Sequence, residues 1–145
     1  TDIAWRWRWP EVNSELLVSQ AVADILDSHR QGLFGVERGG QLFVNPVNPE
    51  GLLLVLAELD AERCRQEIQA ANEQGLRLVG YWHTHPQSVP VISPADIGSF
   101  SKFAARYTQD LPHPIAVIVG KSEKPEGIKA WSFRGGRYVE ATWLR

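Results

Sequence analysis

The stretch GYWHTHPQSVPVISPAD, residues 80–96, places two histidines, a serine and an aspartate close together in the chain. His83 and His85 are separated by one residue and follow the apolar run 76–82, which is predicted to be a strand. Because alternate side chains of a strand project to the same face, the two imidazoles can bind one cation. Neutral imidazole is a good ligand for zinc. Pro86 then ends the strand, since proline cannot donate to a ladder.

A helix start downstream supplies a third candidate ligand. Ser93 suits an N-cap and Pro94 suits the first helical position, which predicts a helix over residues 95–106. A loop that returns this helix start to the strand end would place Asp96 beside the histidines as an oxygen ligand. Three protein ligands leave one tetrahedral position to water, as in catalytic zinc sites. Structural zinc sites most often contain cysteines, and only Cys64 is available here.

The motif H-x-H-P followed by S-x-x-D, together with the upstream run E-R-G-G-Q-L at residues 37–42, resembles the JAMM family of zinc isopeptidases, also called MPN+ or JAB. The resemblance extends over residues 35–131. It implies an α/β sandwich of the cytidine-deaminase-like type, with a mixed central sheet flanked by helices.

The resemblance also implies a role for each polar side chain of the motif. His83, His85 and Asp96 would hold one zinc ion per chain. Glu37 would take the proton of the attacking water, and Ser93 would help to stabilise the tetrahedral oxyanion. The chemistry requires these residue types independently, because amide hydrolysis needs an activated water, a base that returns the proton to the leaving amine, and a donor to the oxyanion.

Glu37 also has a structural interpretation. An isolated glutamate near the start of a strand is most often a solvated surface carboxylate. The Gly-Gly pair that follows it and the metal motif downstream favour the catalytic role instead.

Length and composition fit one soluble domain spanning residues 1–145. The chain has a mass of 16.3 kDa, 43% hydrophobic and 22% charged residues, and a net charge of −2, which does not favour nucleic-acid binding. A single cysteine excludes an internal disulfide framework and favours a reducing compartment. Neither a membrane-spanning apolar run nor a signal peptide is present, so we expect a cytoplasmic protein.

Hydrophobic periodicity predicts the remaining elements. The predicted helices cover residues 14–30, 60–72 and 95–106. The predicted strands cover residues 4–9, 35–44, 51–59, 76–82, 115–119, 127–133 and 137–143. Ser14 is the expected cap of the first helix, and Arg134-Gly135-Gly136 is expected to form a tight hairpin. Cys64 is interpreted as a packing residue, because no motif of reactive thiols surrounds it.

The N-terminal run AWRWRW, residues 4–9, places Trp5, Trp7 and Trp9 on one face of a strand and two arginines on the other. We interpret it as an edge strand whose indoles cover the core. The alternatives are a partner-docking patch, since aromatic residues and arginine are enriched at interface hot spots, or membrane contact. Six residues are too few for a convincing membrane element.

The run W-H-T-H-P and the neighbouring prolines are most similar to compact bacterial JAB proteins found beside E1/E2-like enzymes, including the deconjugases of CBASS antiphage operons. This resemblance implies a zinc isopeptidase that cleaves after the C-terminus of a ubiquitin-like modifier. A non-catalytic scaffold of the same fold and a metallopeptidase acting on small peptides are the alternatives. A zinc deaminase is disfavoured, because Pro-Cys-x-x-Cys ligands are absent.

Overall fold

The computed structural model describes residues 2–9, 14–30, 39–45, 52–58, 64–94, 98, 102, 114–134 and 137–145. Within them the elements are β1 (Ile3–Trp9), β2 (Ser14–Ser19), α1 (Gln20–Arg30), β3 (Gly39–Asn45), β4 (Leu52–Glu58), α2 (Cys64–Glu73), β5 (Arg77–Thr84), β6 (Ile115–Val119), a 3-10 turn (Pro125–Gly127), β7 (Ile128–Arg134), β8 (Arg137–Glu140) and β9 (Thr142–Leu144).

These strands form one mixed sheet in the order β8-β7-β6-β5-β3-β4-β2-β1-β9. The pairs β2–β4 and β5–β6 are parallel, and the other neighbouring pairs are antiparallel. With α1 on one face and α2 on the other, the architecture is the mixed α/β sandwich that the sequence predicts.

The two ends of this strand order are joined by the C-terminal segment. β8 pairs with β7 and β9 pairs with β1, although only Ala141 separates β8 from β9. The Ala141 amide donates to the carbonyl of Ala130 at 2.9 Å, and the Trp9 indole Nε1 donates to the carbonyl of Val139 at 2.9 Å. The sheet therefore curls around α1.

The larger core lies between the curled sheet and α1, on what we term the α1 face. Its buried members are Trp7, Trp9, Leu16, Val18, Val22, Ala23, Leu26, Leu42, Val44, Val79, Trp82, Ile115, Val117, Val119, Ile128 and Ala130. The opposite surface, the α2 face, has a small cluster made by Phe43, Leu78 and Ala71 of α2, with Ile68 and Leu76 packed against it.

The expected helix over residues 14–30 is wrong in its first third, where residues 14–19 form β2. The run of Leu16, Leu17 and Val18 is buried throughout and pairs with β1 on one side and β4 on the other. A short apolar run fits a buried strand as well as a buried helix, and strand neighbours decide the outcome here. The helix cap is accordingly Ser19, whose Oγ accepts the Val22 amide at 3.2 Å, and not Ser14.

The tryptophan strand faces the core as predicted but does not lie at the edge of the sheet. Trp7 and Trp9 are buried at 1% and 2% exposure, which removes them from any docking or membrane surface. On the opposite side of β1, both arginines form salt bridges with Glu15, Arg6 at 3.2 Å and Arg8 at 3.6 Å. The strand predicted over residues 137–143 is divided into β8 and β9. β9 pairs with β1 and so covers its outer edge.

The remaining predicted elements are confirmed where they are described. β3 to β7 match their predicted strands within a few residues, and the β7–β8 register places Arg134 opposite Arg137, as a tight hairpin requires. α2 ends at Glu73. Gly75, two residues beyond, has a φ of +81° that suits glycine, and the Leu76 amide donates to the Ala71 carbonyl at 2.9 Å. The Cys64 side chain and most of residues 95–106 lie outside the described part.

Candidate metal centre

The two histidines lie where β5 ends, between β3 and β6 in the middle of the sheet. His83 pairs with Gly39 of β3 and Ile118 of β6. His85 follows the strand directly, and its amide donates to the carbonyl of Val119 at 2.8 Å. The backbone of both histidines is therefore held by hydrogen bonds to the neighbouring strands.

The two imidazoles converge. Their Nε2 atoms are 3.1 Å apart, and the ring centroids are 4.8 Å apart with the planes at 58°. Two nitrogens that bind one tetrahedral zinc at 2.0–2.1 Å would be about 3.3 Å apart. Both histidines are partly exposed. The donor set and its spacing fit a divalent metal such as zinc.

Gly39 brings the start of β3 close to the histidine strand. A Cβ at this position would lie 2.8 Å from the Trp82 carbonyl oxygen and 3.4 Å from the His83 Cβ, so a side chain does not fit. Glu37 precedes Gly39 by two residues in the chain. Glu37 and Asp96, the predicted base and third ligand, lie outside the described residues. Within the described residues no group of three histidine, cysteine, aspartate or glutamate side chains is found.

The loop that connects the histidines to Ser93 is held against the segment that follows β6. The Lys121 amide donates to the Gln87 carbonyl at 2.8 Å, and the Ser122 amide donates to the Ser88 carbonyl at 3.0 Å. Pro90 is buried, and Ser93 is half-buried next to Pro94, whose backbone is helical. His85 and Ser93 therefore lie at the two ends of a loop whose residues Gln87 and Ser88 are hydrogen-bonded to the segment after β6.

Two residues beside the histidines were not identified from the sequence. The Tyr81 ring stacks on His83, with centroids 5.9 Å apart and planes at 24°. Across the sheet, Gln41 pairs with Tyr81 and is only 3% exposed. The available signal was a polar residue in the middle of the otherwise apolar run that forms β3.

Comparison with protein families identifies the class of protein. Residues 19–134 match the family described as prokaryotic homologs of the JAB domain, and the chain belongs to this family. The wider JAB/MPN family includes metalloisopeptidases and non-catalytic members. No curated protein matches the chain.

Solved structures with the same fold come from bacteria and an archaeon. A solution structure of a protein from Desulfitobacterium hafniense has a TM-score of 0.60 at 14% identity and covers 85% of this chain and 87% of that one. A JAB1/MPN domain protein from Archaeoglobus fulgidus has a TM-score of 0.54 at 17% identity, covering 85% and 92%. A solution structure from Salinibacter ruber has a TM-score of 0.57 at 23% identity, covering 88% and 90%. These likenesses establish the fold.

No helix within the described ranges is long and apolar enough to cross a membrane.

Proposed function

We propose that this protein is a zinc-dependent isopeptidase or peptidase that hydrolyses the bond after the C-terminal residue of a ubiquitin-like modifier, either to release it from a target or to process its precursor. The observation that carries the proposal is the 3.1 Å approach of the His83 and His85 Nε2 atoms at the end of β5, in a chain of a family that includes metalloisopeptidases.

One zinc ion per chain would be held by His83, His85 and Asp96. When bound, the metal supplies Lewis-acid polarisation of the scissile carbonyl and lowers the pKa of water to about 7. The sheet holds the backbone of both histidines, so a metal bound to them would keep a fixed position relative to β5. Such preorganisation is what a catalytic site needs, since small displacements of reacting groups reduce the rate steeply.

Glu37 is the proposed general base. Its carboxylate would accept a proton from the attacking water and return it to the leaving amine, a role worth about 10²–10⁴-fold in rate. The Ser93 hydroxyl would donate to the oxyanion of the tetrahedral intermediate, where loss of one donor costs on the order of 10²–10³-fold. Ser93 stands at the end of the attached loop, which supports this assignment.

The partners would be a ubiquitin-like protein or its conjugate as substrate and, in the same pathway, E1/E2-like enzymes. A cytoplasmic antiphage role of the CBASS type is part of the proposal and rests on the W-H-T-H-P run. Charge does not indicate nucleic-acid or membrane partners, since the net charge is −2.

Elemental analysis of protein purified without added metal tests the centre. We expect about one zinc per chain in the wild type and none in His85→Ala. His29→Ala is the matched control, since His29 lies in α1 outside the proposed ligand set, and it should retain the zinc. A metal-free wild type would contradict the proposal and favour the non-catalytic scaffold.

Cleavage assays then test the reaction. Glu37→Gln should retain zinc but lose at least about 100-fold in cleavage of a ubiquitin-like protein fused through its C-terminus to a second protein. Glu73→Gln, at the exposed end of α2, should cleave normally. Persistent activity of Glu37→Gln would remove the base from the mechanism. Cleavage of short peptides as fast as of the fusion would favour the small-peptide alternative.

A further inference from the structure

Gln41 is a buried polar side chain that the proposed mechanism does not use. It is 3% exposed, and its side-chain oxygen Oε1 has no hydrogen-bond partner within the described part of the chain. Burying an amide oxygen without a partner opposes folding, and most buried side-chain polar atoms are paired. A donor that pairs with Gln41 Oε1 in the functional state of the protein would explain why this oxygen is buried.

The sheet register puts Gln41 on the same face as the proposed metal ligands. Gly39 pairs with His83, and Gln41 pairs with Tyr81, so alternation places Gln41, Tyr81 and His83 together on the α2 face. The stacking of Tyr81 on His83 confirms that these two rings share that face. The side chain of Gln41 is thus a direct neighbour of Tyr81 and a diagonal neighbour of His83.

The diagonal neighbour is within reach because Gly39 contributes no side chain. In antiparallel pairs the diagonal positions remain accessible to long side chains. Gly39 lies opposite His83 and has no Cβ. Among the described residues, Gln41 is therefore the β3 side chain nearest to His83 on this face. The amide can extend toward the imidazole without crossing another side chain of β3.

Metal chemistry supplies the donor for this acceptor. The Nε2 atom of His83 faces the Nε2 atom of His85, so Nδ1 is the nitrogen left to carry the proton when the metal is bound. Histidines that ligate metals almost always donate this second N–H to a carboxylate, a carbonyl or water, which fixes the ring and its tautomer.

We propose that Gln41 is a positioning residue for the metal centre: its side-chain oxygen, which makes no hydrogen bond among the described residues, would accept the Nδ1–H of His83 when Nε2 binds the metal, and would so hold the ring with Nε2 directed at the metal. The inference rests on the proposed function, because it assigns His83 as a metal ligand through Nε2. The zinc affinity of the site would then depend on the buried side-chain amide of Gln41, which contacts neither the metal nor the substrate.

The zinc dissociation constant, measured by competition with a chromophoric chelator, tests this role. Gln41→Met keeps the approximate length and volume of the side chain but removes the oxygen, and it should weaken zinc binding about 10–100-fold. Gln41→Glu retains an acceptor oxygen at similar reach and should restore affinity to within a few-fold of the wild type. In the zinc-loaded wild type, imidazole ¹⁵N NMR should show a slowly exchanging Nδ1–H of His83, and Gln41→Met should lose that protection.

Two controls separate positioning from general packing. Phe43→Leu, on the same strand and face two residues further from the histidines, should lower the melting temperature of the metal-free protein but leave zinc affinity unchanged. Tyr81→Phe keeps the stacked ring and should bind zinc like the wild type. If Tyr81→Phe weakens binding as much as Gln41→Met, the acceptor serves the tyrosine hydroxyl and the proposal is overturned.

The outcomes also distinguish this inference from the proposed function. A wild type that binds zinc while Gln41→Met binds it equally tightly overturns the role of Gln41 alone. A wild type that binds no zinc overturns both. If Gln41→Met does not fold, Gln41→Leu, which also lacks the oxygen, takes its place in the same measurement.

Discussion

The two faces of the sheet are built differently. The α1 face buries a continuous set of large apolar side chains from both ends of the strand order, closed by the C-terminal segment. The described α2 face has a small apolar cluster, the buried apolar side chains of Ala116 and Ile118 in β6, and, beside the end of β5, the polar residues Gln41, Tyr81, His83 and His85. The same strands contribute to both, since neighbouring residues point to opposite sides.

This difference indicates a division between stability and chemistry. Apolar burial is roughly proportional to area and tolerates exchange between similar side chains, so the α1 face can stabilise the fold without special geometry. The polar residues of the α2 face depend on direction and distance. Changes on the first face should therefore alter unfolding, and changes on the second should alter metal binding.

The largest expected effect on stability comes from Trp7, which is 1% exposed and lies between β2 and β9. Trp7→Ala removes a fully buried indole from the α1 face and should cost about 3–5 kcal/mol in the free energy of unfolding. Urea denaturation followed by circular dichroism measures this. Zinc content should stay near one per chain while the protein remains folded.

Arg8→Ala is the matched control, on the same strand but with its side chain 49% exposed. Its salt bridge to Glu15 is a surface pair, so the variant should change stability by less than about 1 kcal/mol. A loss as large as that of Trp7→Ala would show that the two sides of β1 do not differ as described.

A smaller loss of stability with a clear effect on metal binding is expected at Gly39. Its new Cβ in Gly39→Ala would meet the Trp82 carbonyl oxygen at 2.8 Å, so β3 must move away from β5 beside His83. Overpacking of this kind costs about 1–3 kcal/mol. Because the shift occurs opposite a proposed ligand, we also expect at least about a tenfold loss of zinc affinity, measured by chelator competition.

Gly75→Ala provides the comparison. Its strain comes from a φ of +81°, and a Cβ there meets no atom within 4 Å. It should destabilise the protein by about 1 kcal/mol and leave zinc affinity unchanged. Equal losses of zinc affinity in both glycine variants would mean that metal binding follows global stability rather than the local approach of β3 to His83.

Most of the fold and the histidine pair could be predicted from sequence because they depend on local spacing. The i, i+2 histidines at the end of an apolar run lie on one face in any strand, and the structure brings their nitrogens together. The tryptophan alternation likewise predicts a buried face. These features require no knowledge of which strands are neighbours.

The features that could not be predicted depend on long-range pairing. Residues 16–18 become a strand because β1 and β4 flank them, and nothing in the run itself reports those neighbours. The division of β8 from β9 at Ala141 follows from a change of pairing partner. The position of Gln41 beside the histidines depends on the register that pairs it with Tyr81, which the sequence of β3 alone does not specify. The roles of Glu37 and Asp96 stay predictions, since both lie outside the described residues.

The smallest effect concerns the point where the chain passes from β2 into α1. Ser19 is 7% exposed, and its Oγ accepts the Val22 amide at 3.2 Å, which satisfies one of the free donors at the helix start. Ser19→Ala should therefore cost about 1 kcal/mol in unfolding free energy, with zinc affinity unchanged because the cap supports the α1 face. Ser19→Thr keeps a hydroxyl oxygen at the cap position and should cost clearly less. If urea denaturation gave equal losses for Ser19→Ala and Ser19→Thr, the Ser19 hydroxyl would not cap α1.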